Sequence, residues 1–337
     1  NLPDTFRQAG KENMAISPVK WGLIGCGDIA GKRVAPALKT LPSSELVAVS
    51  SRRPEAAAAF AQTFGVAKHY DHWRTLLQDP EVEAVYIATP VHLHQEQTIA
   101  AALAGKHVLC EKPMALCVAE CDRMLDVCSR QPVTFSVAYY RHFYPLIHRM
   151  KELIDTGSLG AISLIQINAF SPFQTQPGQP RHWLLQKALS GGGPMMDIGC
   201  HRIEVLLHLL GPVAGVKALT TRAVYQDRDV EDTAVAVMEM HSGAIAVLSV
   251  THASLNSRDS LAVFGEHGTM LADPLNQGSL IITTGQGRRV EQHPPHSNLH
   301  APLIDDFSRA IREHREPAFS GKQAREVSRI LDLIYEA

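Results

Sequence analysis

The chain has 337 residues, enough for two domains, with 45% hydrophobic and 20% charged residues, the balance of a globular protein. A net charge of -2 gives no electrostatic basis for binding nucleic acid or an anionic membrane, and no apolar run approaches the roughly 20 residues that a membrane span needs. Residues 1–18 lack the apolar core of a secretory signal, and Met14 is read as the natural start, with residues 1–13 an extension.

The apolar run at 19–24 predicts a first strand, and the residues just beyond it are the most informative of the chain. Gly25, Gly27 and Ala30 fall at Gly-x-Gly-x-x-Ala spacing, between that strand and a helical pattern over 30–41. This is the strand–turn–helix setting of a dinucleotide-binding turn. Gly25 would make the tight turn, Gly27 would admit a pyrophosphate to the backbone, and Ala30 would let helix and strand pack closely. Asp28 and Ile29 open the helix, whose free N–H groups and positive dipole end suit phosphate. The second strand, 46–50, runs into Ser51-Arg52-Arg53, 24 residues beyond Gly27 at Ser51. A carboxylate here would accept from the ribose 2′-hydroxyl of NAD. Ser51 has no charge, and Arg52 and Arg53 can fork onto a 2′-phosphate, so NADP(H) is favoured and NAD(H) is the alternative.

Alternation continues with helices at 54–64, 93–104 and 117–130 and strands at 84–88, 107–110 and 133–137, with a weaker strand near 66–70. Gly65 and Gly105 stand where helix C-caps belong. The expected fold of this half is an N-terminal Rossmann doubly wound parallel sheet, an α/β unit over 18–140. After about residue 140 the pattern changes. A helix over 144–156 leads to a strand over 161–170, a Pro/Gln/Gly-rich loop over 171–180, and a Gly192-Gly193-Pro194 break into a further helix. Closely spaced runs at 215–225, 232–240, 244–253, 260–264, 269–272 and 279–284 predict a large, mostly antiparallel open sheet, and helices at 302–314 and 321–335 close the chain. Residues 141–337 are therefore expected to form an α+β domain.

Ligands of open parallel sheets lie beyond the carboxyl ends of the strands, where Thr89-Pro90 and Glu111-Lys112-Pro113 fall. Lys112 is a cation able to stabilise negative charge on a reacting oxygen. Further on, Asp197 and His201 are four apart on an expected helix, one turn from each other. A carboxylate beside an imidazole would orient it and raise its pKa toward working pH, as a general acid–base requires. The alternative is a helix-start carboxylate and an incidental histidine. No helical spacing supports a metal pair from His92, His94, Asp197 and His201. The six cysteines form no C-x-x-C pair and read as small buried hydrophobes in a reducing, cytoplasmic setting without disulfides.

Taken together, Gly25-Cys26-Gly27-Asp28-Ile29-Ala30, Thr89-Pro90 with His94, Glu111-Lys112-Pro113, Tyr140-Arg141 with Pro145, and Asp197-Ile198-Gly199-Cys200-His201 resemble the Gfo/Idh/MocA oxidoreductases, from about residue 19 to 335. The resemblance implies hydride transfer to or from a carbon bearing a hydroxyl or carbonyl, on a sugar, polyol or diol. It implies Lys112 as the lysine on the substrate oxygen, His201 as general acid–base and Asp197 as a substrate-positioning or His-orienting carboxylate. Glu111 would lie near the nicotinamide ribose and His94 near the cofactor; Tyr140, Arg141 and Trp183 would line the substrate pocket. The family often has Asn where Val91 stands. Ser51-Arg52 is similar to the NADP-using dihydrodiol, xylose and anhydrofructose branches. A homodimer or homotetramer through the C-terminal sheet is implied. Two rival functions are a glycoside hydrolase that oxidises its substrate transiently with bound NAD, and a non-catalytic dinucleotide or sugar sensor.

Overall fold

A computed structural model describes residues 17–337. Met14 and the extension expected before it lie outside the described residues. The first half runs β1 (Val19–Ile24), α1 (Ala35–Thr40), β2 (Ser44–Ser50), α2 (Pro54–Phe64), β3 (Lys68–Tyr70), α3 (Trp73–Leu77), β4 (Ala84–Ile87), α4 (His94–Leu103), β5 (His107–Cys110), α5 (Val118–Ser129) and β6 (Phe135–Val137). The strands pair in parallel in the order β3-β2-β1-β4-β5-β6. The order reverses between β1 and β4, which opens a crevice beyond their carboxyl ends. Helices cover both faces, so β1 and β4 are apolar almost throughout rather than alternating.

The second half comprises α6 (Pro145–Asp155), β7 (Ile162–Phe170), α7 (Lys187–Ser190), α8 (Cys200–Leu210), β8 (Val213–Thr221), β9 (Thr233–Met240), β10 (Ile245–Thr251), β11 (Arg258–Gly265), β12 (Gly268–Ala272), β13 (Ser279–Thr284), β14 (Gly287–Gln292), α9 (Ala301–Glu313) and α10 (Gly321–Glu336). Its eight strands form one sheet, β14-β13-β12-β11-β7-β10-β9-β8, antiparallel except between β7 and β10. Inward residues alternate along β9: Ala234, Ala236, Met238 and Met240 are buried, whereas Val235 and Val237 face out. Helix α10 packs on α5, α8 and β8, joining the two halves in one continuous core.

Helix α9 goes the other way. Its Leu303, Ile304, Phe307 and Ile311 pack with Val19, Trp21 and Leu23 of β1 and with Val34 and Leu38. The Phe307 ring lies 5.6 Å from that of Trp21, and Trp21 Nε1 donates to Ser308 Oγ at 3.3 Å. The second half thus supplies part of the core around the first sheet.

Three local differences from the sequence pattern have plain causes. The helix over 30–41 opens with a wide turn, Ala30–Val34, in which the Ala35 N–H closes on Ala30 O. Pro36 comes next, with no N–H for the ordinary ladder. Strand β14 leaves no alternating pattern because Val290 is its sole apolar residue on an exposed edge. Helix α3 is a single short turn, below the length at which periodicity registers.

Because Phe307 is fully buried between helix and sheet, Phe307→Ala is expected to cost on the order of 3–5 kcal/mol, read as a lower urea midpoint at unchanged slope.

Candidate active site

Gly25 adopts φ +102°, and a Cβ there would lie 2.7 Å from the Ala88 carbonyl oxygen, so the turn hugs the end of β4. A Cβ on Gly27 would meet nothing within 4 Å, which leaves room for a ligand against the backbone. The helix opens directly after it, with its first N–H groups free of intrahelical partners. Ala30 is fully buried against the sheet rather than in the crevice. The crevice widens into a cleft of about 1450 Å³ that runs between the two halves. Gly25, Gly27, Asp28, Ile29, Ser51, Arg52, Arg53, Thr89 and Pro90 line one end; Arg52 and Arg53 are exposed there. Open backbone, helix N-terminus and free guanidinium groups together fit a dinucleotide.

His94 is placed differently from expectation. It is buried and does not line the cleft; its Nε2 contacts Thr89 O at 2.8 Å and its Nδ1 contacts Pro113 O at 3.0 Å. Burial pushes its pKa down, while the two carbonyls favour the charged form, and the ring bridges the two loops. Glu111 lines the cleft, accepting from Tyr86 OH at 2.7 Å and lying 3.3 Å from His300 Nε2. Burial alone would raise its pKa, but His300, Lys112 and Tyr86 hold it below the usual value.

Lys112 stands just after β5 and reaches across to the second half. Its Nζ donates to Asp197 O at 2.7 Å and to Asp197 Oδ1 at 3.1 Å. Burial is the largest single influence and opposes its charge, but Asp197, Cys200, Glu111 and Tyr140 together outweigh it and lift the pKa to about 12. Burial would likewise raise Asp197; Lys112, His252 and Arg181 instead hold it far below the usual carboxylate range. Arg181 Nη2 donates to Asp197 Oδ2 at 3.3 Å. Trp183 lines the same cleft.

The backbone that aims Asp197 is a wide turn, Met195–Gly199, closed by the Cys200 N–H on Met195 O. Glu231 holds its start: Oε2 accepts from Gly193 N at 2.8 Å and Oε1 from Met195 N at 3.1 Å and Tyr335 OH at 2.8 Å. A Cβ on Gly193 would fall 2.0 Å from Glu231 O, so only glycine permits this approach. The wide turn breaks the α-helical spacing on which an Asp197–His201 contact was expected. Asp197 engages Lys112, Arg181 and, at 3.6 Å, His252 instead.

His201 begins α8, buried, its ring 4.8 Å from that of Tyr140 and its Nδ1 without a partner. The expectation of a raised pKa is overturned. Burial, then the charges of Arg141, Lys112 and Arg202, push it well below 6.5. Arg141 Nη1 donates to Tyr140 OH at 2.8 Å, and both side chains line the cleft. Arg202, Asp259, Asn276, His252 and His300 complete the site without being signalled by any motif; apart from Arg202, beside His201, they sit in segments with no chemical pattern. Among the described residues no group of three or more His, Cys, Asp or Glu side chains is arranged to hold a metal ion, and the six thiols are unpaired.

Two family models match the chain: the oxidoreductase family, NAD-binding Rossmann fold, over 19–139, and the GFO/IDH/MocA C-terminal domain over 147–271. The chain belongs to the Gfo/Idh/MocA family. A D-xylose 1-dehydrogenase (NADP(+)) from Haloferax volcanii is 30% identical over 323 residues, 94% of this chain and 96% of the relative. A structure of levoglucosan dehydrogenase with NADH and levoglucosan superposes with TM-score 0.86 at 26% identity, over 95% of this chain and 96% of that one. A 3-ketoreductase from Actinomadura kijaniata with NADP and TDP-benzene gives TM-score 0.85 at 25% identity, over 95% and 97%. As a Gfo/Idh/MocA oxidoreductase, the protein moves hydride between a nicotinamide dinucleotide and a carbon bearing a hydroxyl or carbonyl.

Asp197→Asn removes the charge that offsets Lys112's burial. The Lys112 pKa is expected to drop below about 12, read by NMR titration of isotope-labelled lysine.

Proposed function

We propose an NADP(H)-preferring dehydrogenase or reductase acting on a sugar, polyol or diol. The observation that carries this is the meeting of Lys112 and His201 in one cleft whose other end is lined by Gly27, Arg52 and Arg53. The relatives that act on xylose and levoglucosan support the substrate class. In this reading Gly25, Gly27, Asp28 and Ile29 receive the pyrophosphate, and Ser51, Arg52 and Arg53 receive a 2′-phosphate. Thr89, Pro90 and Glu111 border the nicotinamide end. Residues 18–140 form the coenzyme domain, to which α9 adds a buried face, and 141–337 form the substrate domain.

When bound, the nicotinamide supplies or accepts the hydride. Lys112 has three N–H donors, and Asp197 occupies two, leaving one for the substrate oxygen. With its raised pKa it stays charged through the neutral range, so it stabilises alkoxide character without giving up a proton. His201, neutral because its pKa is lowered, accepts the hydroxyl proton in oxidation and must first be protonated to return it in reduction. Tyr140 packs on His201 and fixes its plane. Arg141 holds Tyr140, and Trp183 shapes the pocket.

The exposed outer face of the large sheet carries Leu219, Val235, Val237, Ile245 and Leu271, which supports pairing of copies into a homodimer or homotetramer. Unpaired thiols fit a reducing, cytoplasmic setting. No helix among the described residues is long and apolar enough to cross a membrane.

Lys112→Met, assayed with coenzyme saturating, should lower kcat by roughly 10²–10³. A loss of only a few-fold would remove Lys112 from charge stabilisation. In the same assay, oxidation kcat/KM should hold level as pH falls from about 8 to about 6.5 and decline only below, as His201 gains a proton. Fluorescence titration should show NADPH binding about tenfold or more tighter than NADH, with the gap closing in Arg52→Ala/Arg53→Ala. Equal affinities in the unaltered protein would undo the coenzyme preference.

A further inference from the structure

Two carboxylates at the substrate end of the cleft, Asp197 and Asp259, are each shared by two cations. Asp197 takes Lys112 on Oδ1 at 3.1 Å and Arg181 on Oδ2 at 3.3 Å. Asp259 takes Arg202 on Oδ1, while its Oδ2 faces Arg141 Nη2 at 4.0 Å. At the rim Arg258 and Asp273 pair with each other at 3.6 Å. Glu111, the remaining carboxylate, is engaged by Tyr86 and His300. Even with Glu111 included, five cations face four carboxylates on this part of the wall.

The excess sits on groups withdrawn from water. Arg141 and Arg202 are 5% and 4% exposed, and the Nε of each lacks a hydrogen-bond partner, as does Asp259 Oδ2. Burying charge without full compensation is costly, and guanidinium groups fork onto carboxylates. The same imbalance is felt by the neighbours: after burial, Arg141 is the main influence pulling both Arg202 and His201 down. A neutral sugar would leave the imbalance in place.

We propose that the substrate is a polyhydroxy carboxylate, a sugar acid of the aldonate or uronate kind, with its carboxylate received at Arg141 and Arg202 and its reacting CH–OH at Lys112 and His201. This rests on the reading of the protein as an oxidoreductase of sugar-like substrates and narrows it. The carboxylate has two effects. It supplies the missing negative charge, and it returns the His201 imidazole toward its ordinary range, easing proton transfer in the reductive direction. In oxidation the hydride leaves with the coenzyme and the hydroxyl proton passes to His201, so the substrate carboxylate is unchanged.

The test uses matched pairs, gluconate with sorbitol and galacturonate with galactose, at saturating NADP⁺, with binding of each compound followed in parallel by tryptophan fluorescence. The acid of at least one pair is expected to exceed its neutral partner about tenfold or more in kcat/KM and in affinity. Arg202→Met is expected to lower that acid-to-neutral ratio about tenfold. The ratio in the unaltered protein decides the matter if Arg202→Met fails to fold. Acids that bind and react no better than their partners overturn the inference and leave oxidation of neutral sugars standing. No coenzyme-linked turnover in either half of the panel, with NADP⁺ or NAD⁺, overturns the reading beneath it and the inference with it.

Discussion

The buried contact between Lys112 and Asp197 joins the two halves of the molecule at the point where the proposed chemistry would occur. Lys112 stands two residues beyond β5 of the parallel sheet, and Asp197 belongs to the turn that launches α8 against the large sheet. Their side chains are 17% and 12% exposed, so removal of either leaves a charge with little water to solvate it, a loss on the order of 3–5 kcal/mol. The contact keeps the lysine charged, aims it, and sets the separation across which substrate must fit. Glu231 supports it from behind by binding the Gly193 and Met195 N–H groups.

In the proposed mechanism the cleft divides acid–base labour by environment. Lys112 and His201 are both buried, yet one is held charged and the other neutral, because Asp197 belongs to the lysine and the arginines crowd the histidine. Two titratable groups pushed apart in this way suit the separate duties proposed for them, one steadying charge and the other carrying the proton. Had Asp197 paired with His201, both advantages would fail together, since the lysine would lose its counter-ion and the imidazole would be held charged.

Much of this was legible in the sequence because it is local. The Gly25–Ala30 turn, the strand–helix alternation and the helix boundary at Gly65 depend on neighbours a few residues apart, and each lies where its pattern places it. Lys112 and His201 were legible as candidates through their motifs, and both line the one cleft. The pairings were not legible. Asp197 and His201 look like partners at α-helical spacing, and the wide turn undoes that spacing. His94 looks like a ligand residue and is instead a clamp between loops 89–90 and 113. Asp259, Asn276 and His300 arrive from strands, loops and a helix start more than fifty residues downstream of His201, with no local mark of purpose.

Helix α9 carries a consequence for how this architecture is divided. Chain order assigns 301–313 to the second half, but Phe307 and Ile304 close the core over Trp21. A fragment ending near residue 140 would present that indole and the outer side of β1 to water, and would associate rather than stand alone. Chimaeras that exchange the coenzyme half between relatives must therefore transplant two separated stretches of chain, the first sheet together with its distant cover.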